Sequence, residues 1–478
     1  MNPADSLFFI RSELFLTLAL FVILILDFFI RQKKWLGWLS FLSIIVASLI
    51  PPFFYPDEGL FFNYYVWDPF TFFFKMVAYV TIGLTILASL AYEKIPKRQQ
   101  GEFYVLLLAM AIFLTFMGGV TNLLMVFLTI ESVSLVSFLL VGFQKFDKRS
   151  SEASFKYVLF GAVSSAVMVF GMSLLFGATT SIEFTKIAAA LNSSVPATQT
   201  IISIGLILLL VGIGFKISAV PFHMWAPDVY EGAPTPVTAF LTVAPKALGF
   251  AVMVRVLFLA FPHLIHKWTP LLTLLSILTM TVGNIIAISQ SDIKRLLAYS
   301  SIAQAGYILV GIATAGEFGL KATLIYVTAY LFTNLGAFFA VVSVERNLGS
   351  NQIEIYNGLS KRSPLLALAL TLFLLSLAGI PPLAGFIGKI YIFSAAIKSN
   401  SIPLAIAIAL NSAVAAYYYF RIVKAMYLTP PTTAEPLKNP FPIKIAVGAT
   451  LLGTLLIGLW PAQIIRLIER SIVTLPIF

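Results

Sequence analysis

The 478-residue sequence has no cysteine, only three histidines, and few charged residues. Without thiols there is no disulfide, no thiolate-held iron–sulfur cluster and no zinc–thiolate site. Of His223, His263 and His266, only His223 adjoins a long apolar run, so the paired buried ligands of a membrane haem are missing. His263 and His266 have an H-x-x-H spacing, but neither thiol nor carboxylate lies nearby in sequence, and no metal site is expected there. A chain with no redox centre and no metal of its own is expected. Charged residues make up 11%, against the roughly 25% that a soluble domain needs to cover its surface. A chain that is 59% hydrophobic must instead face a lipid bilayer. The net charge of +11 raises nucleic acid as a partner, but its distribution along the chain favours membrane topology, and no nucleic-acid partner is expected.

What the sequence has in abundance is apolar runs, each of the length, about 20 residues, that crosses the hydrocarbon core as a helix. They begin near Glu13, Trp35, Pro69, Phe103, Thr121, Phe155, Ile201, Val237, Trp268, Lys294, Phe318, Pro364, Ile402 and Ile443. The expected fold class is an all-α polytopic membrane protein with about 14 transmembrane helices, one membrane domain over residues 1–478. The first run is not followed by a small-residue cleavage site and is expected to be a span. Trp35, Trp38, Trp67 and Trp268 lie near run ends, as an interfacial belt would. Asp68, just before Pro69, reads as a helix N-cap.

Of the 31 lysines and arginines, six lie inside runs: Lys75, Lys156, Lys216, Lys246, Arg255 and Lys389. Seven lie on the side of the termini: Arg11, Lys186, Lys267, Lys321, Lys398, Arg466 and Arg470. The remaining 18 lie in loops on the opposite side. That excess marks the cytoplasmic face. Both termini are therefore expected on the periplasmic side of a bacterial inner membrane.

An internal repeat is visible at a constant offset of 169 residues. Ser134 to Phe143 (SLVSFLLVGF) matches Ala303 to Ile312 (AQAGYILVGI), and Ala153 to Val158 (ASFKYV) matches Ala322 to Val327 (ATLIYV). The fifth run then corresponds to the tenth. An odd shift reverses orientation, the inverted-repeat pattern of transporters. The seventh run is interrupted at Ala219-Val220-Pro221-Phe222 and the twelfth at Gly379-Ile380-Pro381-Pro382, again five runs apart. Proline removes a backbone donor, and in lipid the freed carbonyls need protein or water partners. A single such break is often a plain kink; a pair in corresponding positions points to an ion path.

A charge at the centre of a membrane helix costs at least ~2.5–3.5 kcal/mol. Lys75 and Arg255 lie near the outer ends of the third and eighth runs, where snorkelling accounts for them. Lys156, one turn from Glu152, can snorkel or form a local ion pair. Glu131 is central in the fifth run, Lys216 precedes the first break, Lys246 is mid-run in the eighth, and Lys389 follows the second break. Snorkelling does not serve these four. Glu131 can neutralise one lysine, and the Glu131–Lys216 pair is the candidate switch. At least two lysines then lack a carboxylate and must be neutral or face water. Lysines poised between protonation states suit a proton relay. His223, after the first break, fits either a relay or a hydrogen-bonded loop histidine.

Three stretches resemble a known family. Val220 to Val237 (VPFHMWAPDVYEGAPTPV) and Leu296 to Ile312 (LLAYSSIAQAGYILVGI) are similar to motifs of the antiporter-like subunits of respiratory complex I and of Mrp antiporters. Leu375 to Phe393 (LSLAGIPPLAGFIGKIYIF) resembles the subunit N family within that group. The resemblance implies inverted five-helix repeats at residues 103–262 (helices 4–8) and 267–428 (helices 9–13), with broken helices 7 and 12. Helices 1–3 would occupy residues 1–100 and helix 14 residues 441–478. It implies that Glu131 modulates charge, Lys216 is the central lysine, Lys246 the connecting one, and Lys389 the lysine near the outward exit. Lys156 and His223 would serve the cytoplasmic side of the path. The function implied is proton translocation coupled to quinone reduction, with NADH, FMN, iron–sulfur clusters and quinone bound by other subunits. Subunits M, K and A, with J nearby, would be the partners. Mrp-type cation/proton antiporters and the NdhB subunit of photosynthetic complexes are the similar alternatives. A lysine-rich path favours protons over sodium, which a lysine would repel.

Overall fold

The computed structural model describes residues 6–54, 58–192, 195–431 and 435–473. Helices α1 (Arg11–Phe29) and α2 (Lys34–Phe54) precede a small antiparallel hairpin, β1 (Gly59–Phe61) with β2 (Tyr65–Trp67). Then come α3 (Pro69–Leu90), α4 (Gln100–Met117), α5 (Leu123–Val141), α6 (Lys148–Thr179) and the short α7 (Phe184–Asn192). Next are α8 (Pro196–Ile217), the short α9 (Ala226–Gly232), α10 (Thr235–Arg255), α11 (Ile265–Ile288), α12 (Ile293–Ala313) and α13 (Glu317–Leu348). The chain closes with α14 (Leu359–Arg362), α15 (Pro364–Ala378), α16 (Ala384–Lys398), α17 (Ile402–Leu428), α18 (Phe441–Leu459) and α19 (Pro461–Ile472).

Among the described residues, 13 helical segments are long and apolar enough to cross a membrane. The other expected span is the pair α15 and α16, of 15 residues each, separated by the second break. All 14 expected runs are thus helical.

Local chemistry fixes several starts. Asp68 is the predicted N-cap, accepting from the Thr71 amide at 2.8 Å with Pro69 at the first helical position. Asn122 caps α5 through the Met125 amide at 2.9 Å, and Asp292 caps α12 through the Arg295 amide at 3.1 Å.

The windows of α10, α12 and α13 are each 94% buried, whereas that of α6 is 22% and that of α18 is 28%. The first three therefore form the interior, and α6 and α18 turn most of their apolar side chains outward. Without a hydrophobic drive between helices in lipid, close approach relies on small residues. A Cβ on Gly283 of α11 would lie 2.6 Å from the Ala303 amide nitrogen, and one on Gly306 of α12 would lie 2.6 Å from that of Met280. Backbone packs on backbone at that crossing.

The snorkelling expected of Lys75 and Arg255 does not occur; both side chains are buried. Lys75 pairs with Glu13 of α1 at 2.7 Å. Arg255 reaches both oxygens of Asp68, at 2.7 and 2.8 Å, and donates through Nε to the Gly118 carbonyl at 2.9 Å. The cause is a carboxylate supplied by a distant part of the chain, which stabilises each cation inside the bundle. The belt reading also fails for two tryptophans. Trp67 and Trp268 are buried, and the Trp268 indole donates to the Phe261 carbonyl at 3.1 Å, while Trp35 is exposed.

Candidate functional site

The two breaks share a backbone solution. At the first, Ser218 takes a left-handed conformation (φ 59°), and the Ala219 amide reaches back to the Gly214 carbonyl at 2.8 Å. At the second, Gly379 does the same (φ 93°), and the Ile380 amide reaches the Leu375 carbonyl at 3.0 Å. Both are Schellman-type ends, which satisfy carbonyls the helix leaves behind. Both breaks also contain a cis peptide bond, Val220–Pro221 and Pro381–Pro382.

Side chains reach further carbonyls at each break. At the first break the Trp225 indole donates to the Phe215 carbonyl at 3.2 Å. At the second, Gln304 of α12 donates to the Leu377 carbonyl at 3.3 Å, and Lys389 of α16 donates to the Ala378 carbonyl at 2.7 Å. Irregular backbone at membrane depth is tolerated where protein supplies such partners.

Lys216, Lys246 and Lys389 are all buried, and among the described residues none forms an ion pair with a carboxylate. The Lys216 ammonium donates to the Ser134 hydroxyl of α5 at 3.0 Å. Its aliphatic stem lies beside Gly249, one turn from Lys246 on α10: a Cβ on that glycine would be 3.6 Å from it. Lys246, next to the in-helix Pro245, donates to the Ser301 hydroxyl of α12 at 2.9 Å and faces the Tyr230 ring. From there hydroxyl and amide groups continue. Ser300 bonds to Tyr419 of α17, Tyr419 lies 3.4 Å from Gln304, and Gln304 holds the Leu377 carbonyl beside the one that Lys389 occupies.

Glu131 does not form the expected direct pair with Lys216. The carboxylate is half-buried and accepts from Ser165 of α6, while the lysine bonds to Ser134, one turn further along the same helix. The rotation of α5 puts the serine toward α8 and the carboxylate toward α6. Lys156 keeps its local ion pair with Glu152 at 2.8 Å and adds Asp228 of α9, also at 2.8 Å. Arg295 binds the same Asp228 at 2.7 Å and Glu231 at 2.8 Å. These groups line a cavity of about 250 Å³ on the basic-rich face, away from the Lys216–Lys389 series. His223 is half-buried beside the first break, and no hydrogen bond joins it to Lys216 or Lys246.

Residues 120–415 match the family described as NADH:quinone oxidoreductase/Mrp antiporter, TM. The chain is also 40% identical over 468 residues to NADH-quinone oxidoreductase subunit N of Trichlorobacter lovleyi, covering 97% of this chain and 96% of that protein. It belongs to this family of antiporter-like membrane subunits. Another family member, NAD(P)H-quinone oxidoreductase subunit 2 of Gloeobacter violaceus, is 40% identical over 97% of this chain and 92% of its own. Among solved structures, a chain of respiratory complex I from Thermus thermophilus matches with a TM-score of 0.81 at 30% identity, over 95% of this chain and 98% of that one. A chain of the Mrp complex from Dietzia shares the fold, with a TM-score of 0.86 at 19% identity, over 99% of this chain and 98% of that one.

Sequence reasoning alone missed the buried carboxylate of Glu345. Glu345, near the end of α13, is buried and is held by Lys94 at 2.6 Å and by the Thr235 hydroxyl. Beside it the buried Lys294 donates to the carbonyls of Glu231 and Ala233 at 2.8 and 2.6 Å. Tyr92, Lys94, Asp292, Lys294 and Glu345 share a cavity of about 340 Å³. The signal available was a glutamate in the last turn of a 32-residue helix, directly after an apolar stretch and before Arg346.

Proposed function

We propose that the chain is the proton-translocating subunit N of a membrane-bound NADH:quinone oxidoreductase. Protons move along Lys216, Lys246 and Lys389, while quinone is reduced in other subunits. The observation that carries the reading is the series of three buried lysines, each bonded to a hydroxyl or a carbonyl and none to a carboxylate. A static structural lysine at membrane depth is best served by a carboxylate, as Lys75 is by Glu13. A lysine bonded to a neutral acceptor keeps that bond whether it is charged or neutral, because both forms retain N–H donors. It can therefore take up and release a proton without rearranging its surroundings.

In this reading Glu131 acts from the flank. It changes the field at Lys216 across Ser134 and is itself open to a neighbouring subunit on the α6 side. Lys156 and His223 serve the basic-rich side, and Lys389 serves the outward exit. The repeats at residues 103–262 and 267–428 would then supply one half-path each, one per break. NADH, FMN, the iron–sulfur clusters and the quinone would be held by partner subunits, with M, K, A and J as the expected neighbours. Relatives named subunit N and subunit 2 are equally similar, at 40% identity, and the same path serves either electron donor.

The test uses the assembled enzyme in sealed inner-membrane vesicles. Lys246→Met should lower both quinone reduction and proton uptake, with the complex still assembled. Full turnover with wild-type proton uptake in that variant would sink the relay.

A further inference from the structure

A cavity lies apart from the lysine series, between α15 and α18. It measures about 800 Å³. Its apolar lining includes Leu366, Ala369, Val447 and Leu451. Its mouth is cationic, with Arg362, Lys438 and Lys444 together on the face that carries the basic excess. The mouth also holds Ser343, Ser363 and Asn439.

Two observations mark it as a site. Arg362 is only 5% exposed, and its Nη1 is buried without any hydrogen-bond partner among the described residues. Its Nε donates to the Glu435 carbonyl at 3.1 Å, and among the described residues no carboxylate forms an ion pair with it. A buried guanidinium with an empty arm lacks an anion, and its fork suits a phosphate. The segment bearing Lys438 is also pinned: its amide donates to Asn347 at 3.0 Å and its carbonyl accepts from Arg346 at 3.0 Å. Below the mouth, a side chain on Gly448 would meet nothing within 4 Å, so the groove is open along α18. Leu365 is 82% exposed beside it.

We propose that this groove binds an anionic phospholipid. The phosphate sits against Arg362, Lys438 and Lys444, and an acyl chain runs down between α15 and α18. An apolar helix of a partner subunit would fill the lower groove but leave Arg362 without a counter-ion. An anionic headgroup meets both needs, and basic pockets between membrane helices are suited to such headgroups.

The assembled complex is reconstituted into phosphatidylcholine vesicles doped with a photoactivatable phosphatidylglycerol or, in parallel, a photoactivatable phosphatidylcholine. Labelled peptides are mapped by mass spectrometry. The anionic probe should label Pro364–Ala378 and Phe441–Leu459 several-fold more than the zwitterionic one. Lys438→Gln and Lys444→Gln should each lower that preference by up to roughly fivefold. Arg362→Gln should lower it as well. Gly448→Trp, which fills the groove and leaves every charge in place, should abolish labelling by both probes. Equal labelling by the two lipids would overturn the proposal. So would labelling that survives Gly448→Trp, or cross-links from this groove to a neighbouring subunit in place of lipid.

Discussion

The Lys389 ammonium donates to the carbonyl of Ala378 at 2.7 Å, so the cation after the second break occupies an acceptor that the break itself set free. One contact serves two needs: it completes the hydrogen bonding of an interrupted helix and it holds a titratable group at membrane depth. Over the same ammonium lies the ring of Tyr307, 4.7 Å away.

Lys389→Ala is therefore expected to lower proton pumping by the assembled enzyme, and to leave the Ala378 carbonyl unsatisfied at a cost of about 1–3 kcal/mol. Proton uptake per quinone reduced, measured in sealed vesicles, separates the two effects. A variant that assembles and pumps at the wild-type ratio and rate would make Lys389 structural only.

Lys216→Arg keeps the positive charge and can keep a bond to Ser134, but arginine does not release its proton in a protein. Turnover with proton uptake should fall sharply while assembly, checked separately, is retained. Full pumping by this variant would rule out proton release at Lys216.

The Asp68–Arg255 pair is buried. Breaking it from one side, by Arg255→Ala, should destabilise the complex by about 3–5 kcal/mol, because the other charge stays buried. Asp68→Asn keeps an N-cap on α3, so its effect reports the lost charge alone. The double variant Asp68→Asn/Arg255→Ala should cost less than the sum of its parts. Additive losses of thermal stability would show that the two residues act independently.

Topology rests on 18 basic residues on one side against seven on the other. Reporters fused after Phe478 should read as periplasmic. A cytoplasmic reading would invert every assignment of face made for Lys156, Lys389 and the α15–α18 groove.

The spans, the Asp68 cap, both breaks and the three lysines inside apolar runs were all legible in the sequence. Each depends on local pattern: run length, proline position, or a charge in an apolar run. Partners were not legible. Glu13 with Lys75 and Asp68 with Arg255 join helices far apart in the chain, and nothing in either local pattern names the other. The direct hydrogen-bond partner of Lys216 was not legible either, for a finer reason. Glu131 and Ser134 are three residues apart on one helix, and only the rotation of α5 in its packed setting decides which of them the lysine meets.

The 32 residues of α13 extend about 48 Å, well beyond a hydrocarbon core of about 30 Å. Near one end Lys321 is tied to Glu469 of α19, and near the other Glu345 is tied to Lys94. In between, Asn334 is bonded to Thr242 of α10 and Tyr326 to Gln304 of α12. This helix is a strut fastened at both ends and braced at its middle. Any piston-like slip of α13 would have to undo the fastenings on both faces of the membrane together, so the two faces are held in mechanical register through a single helix.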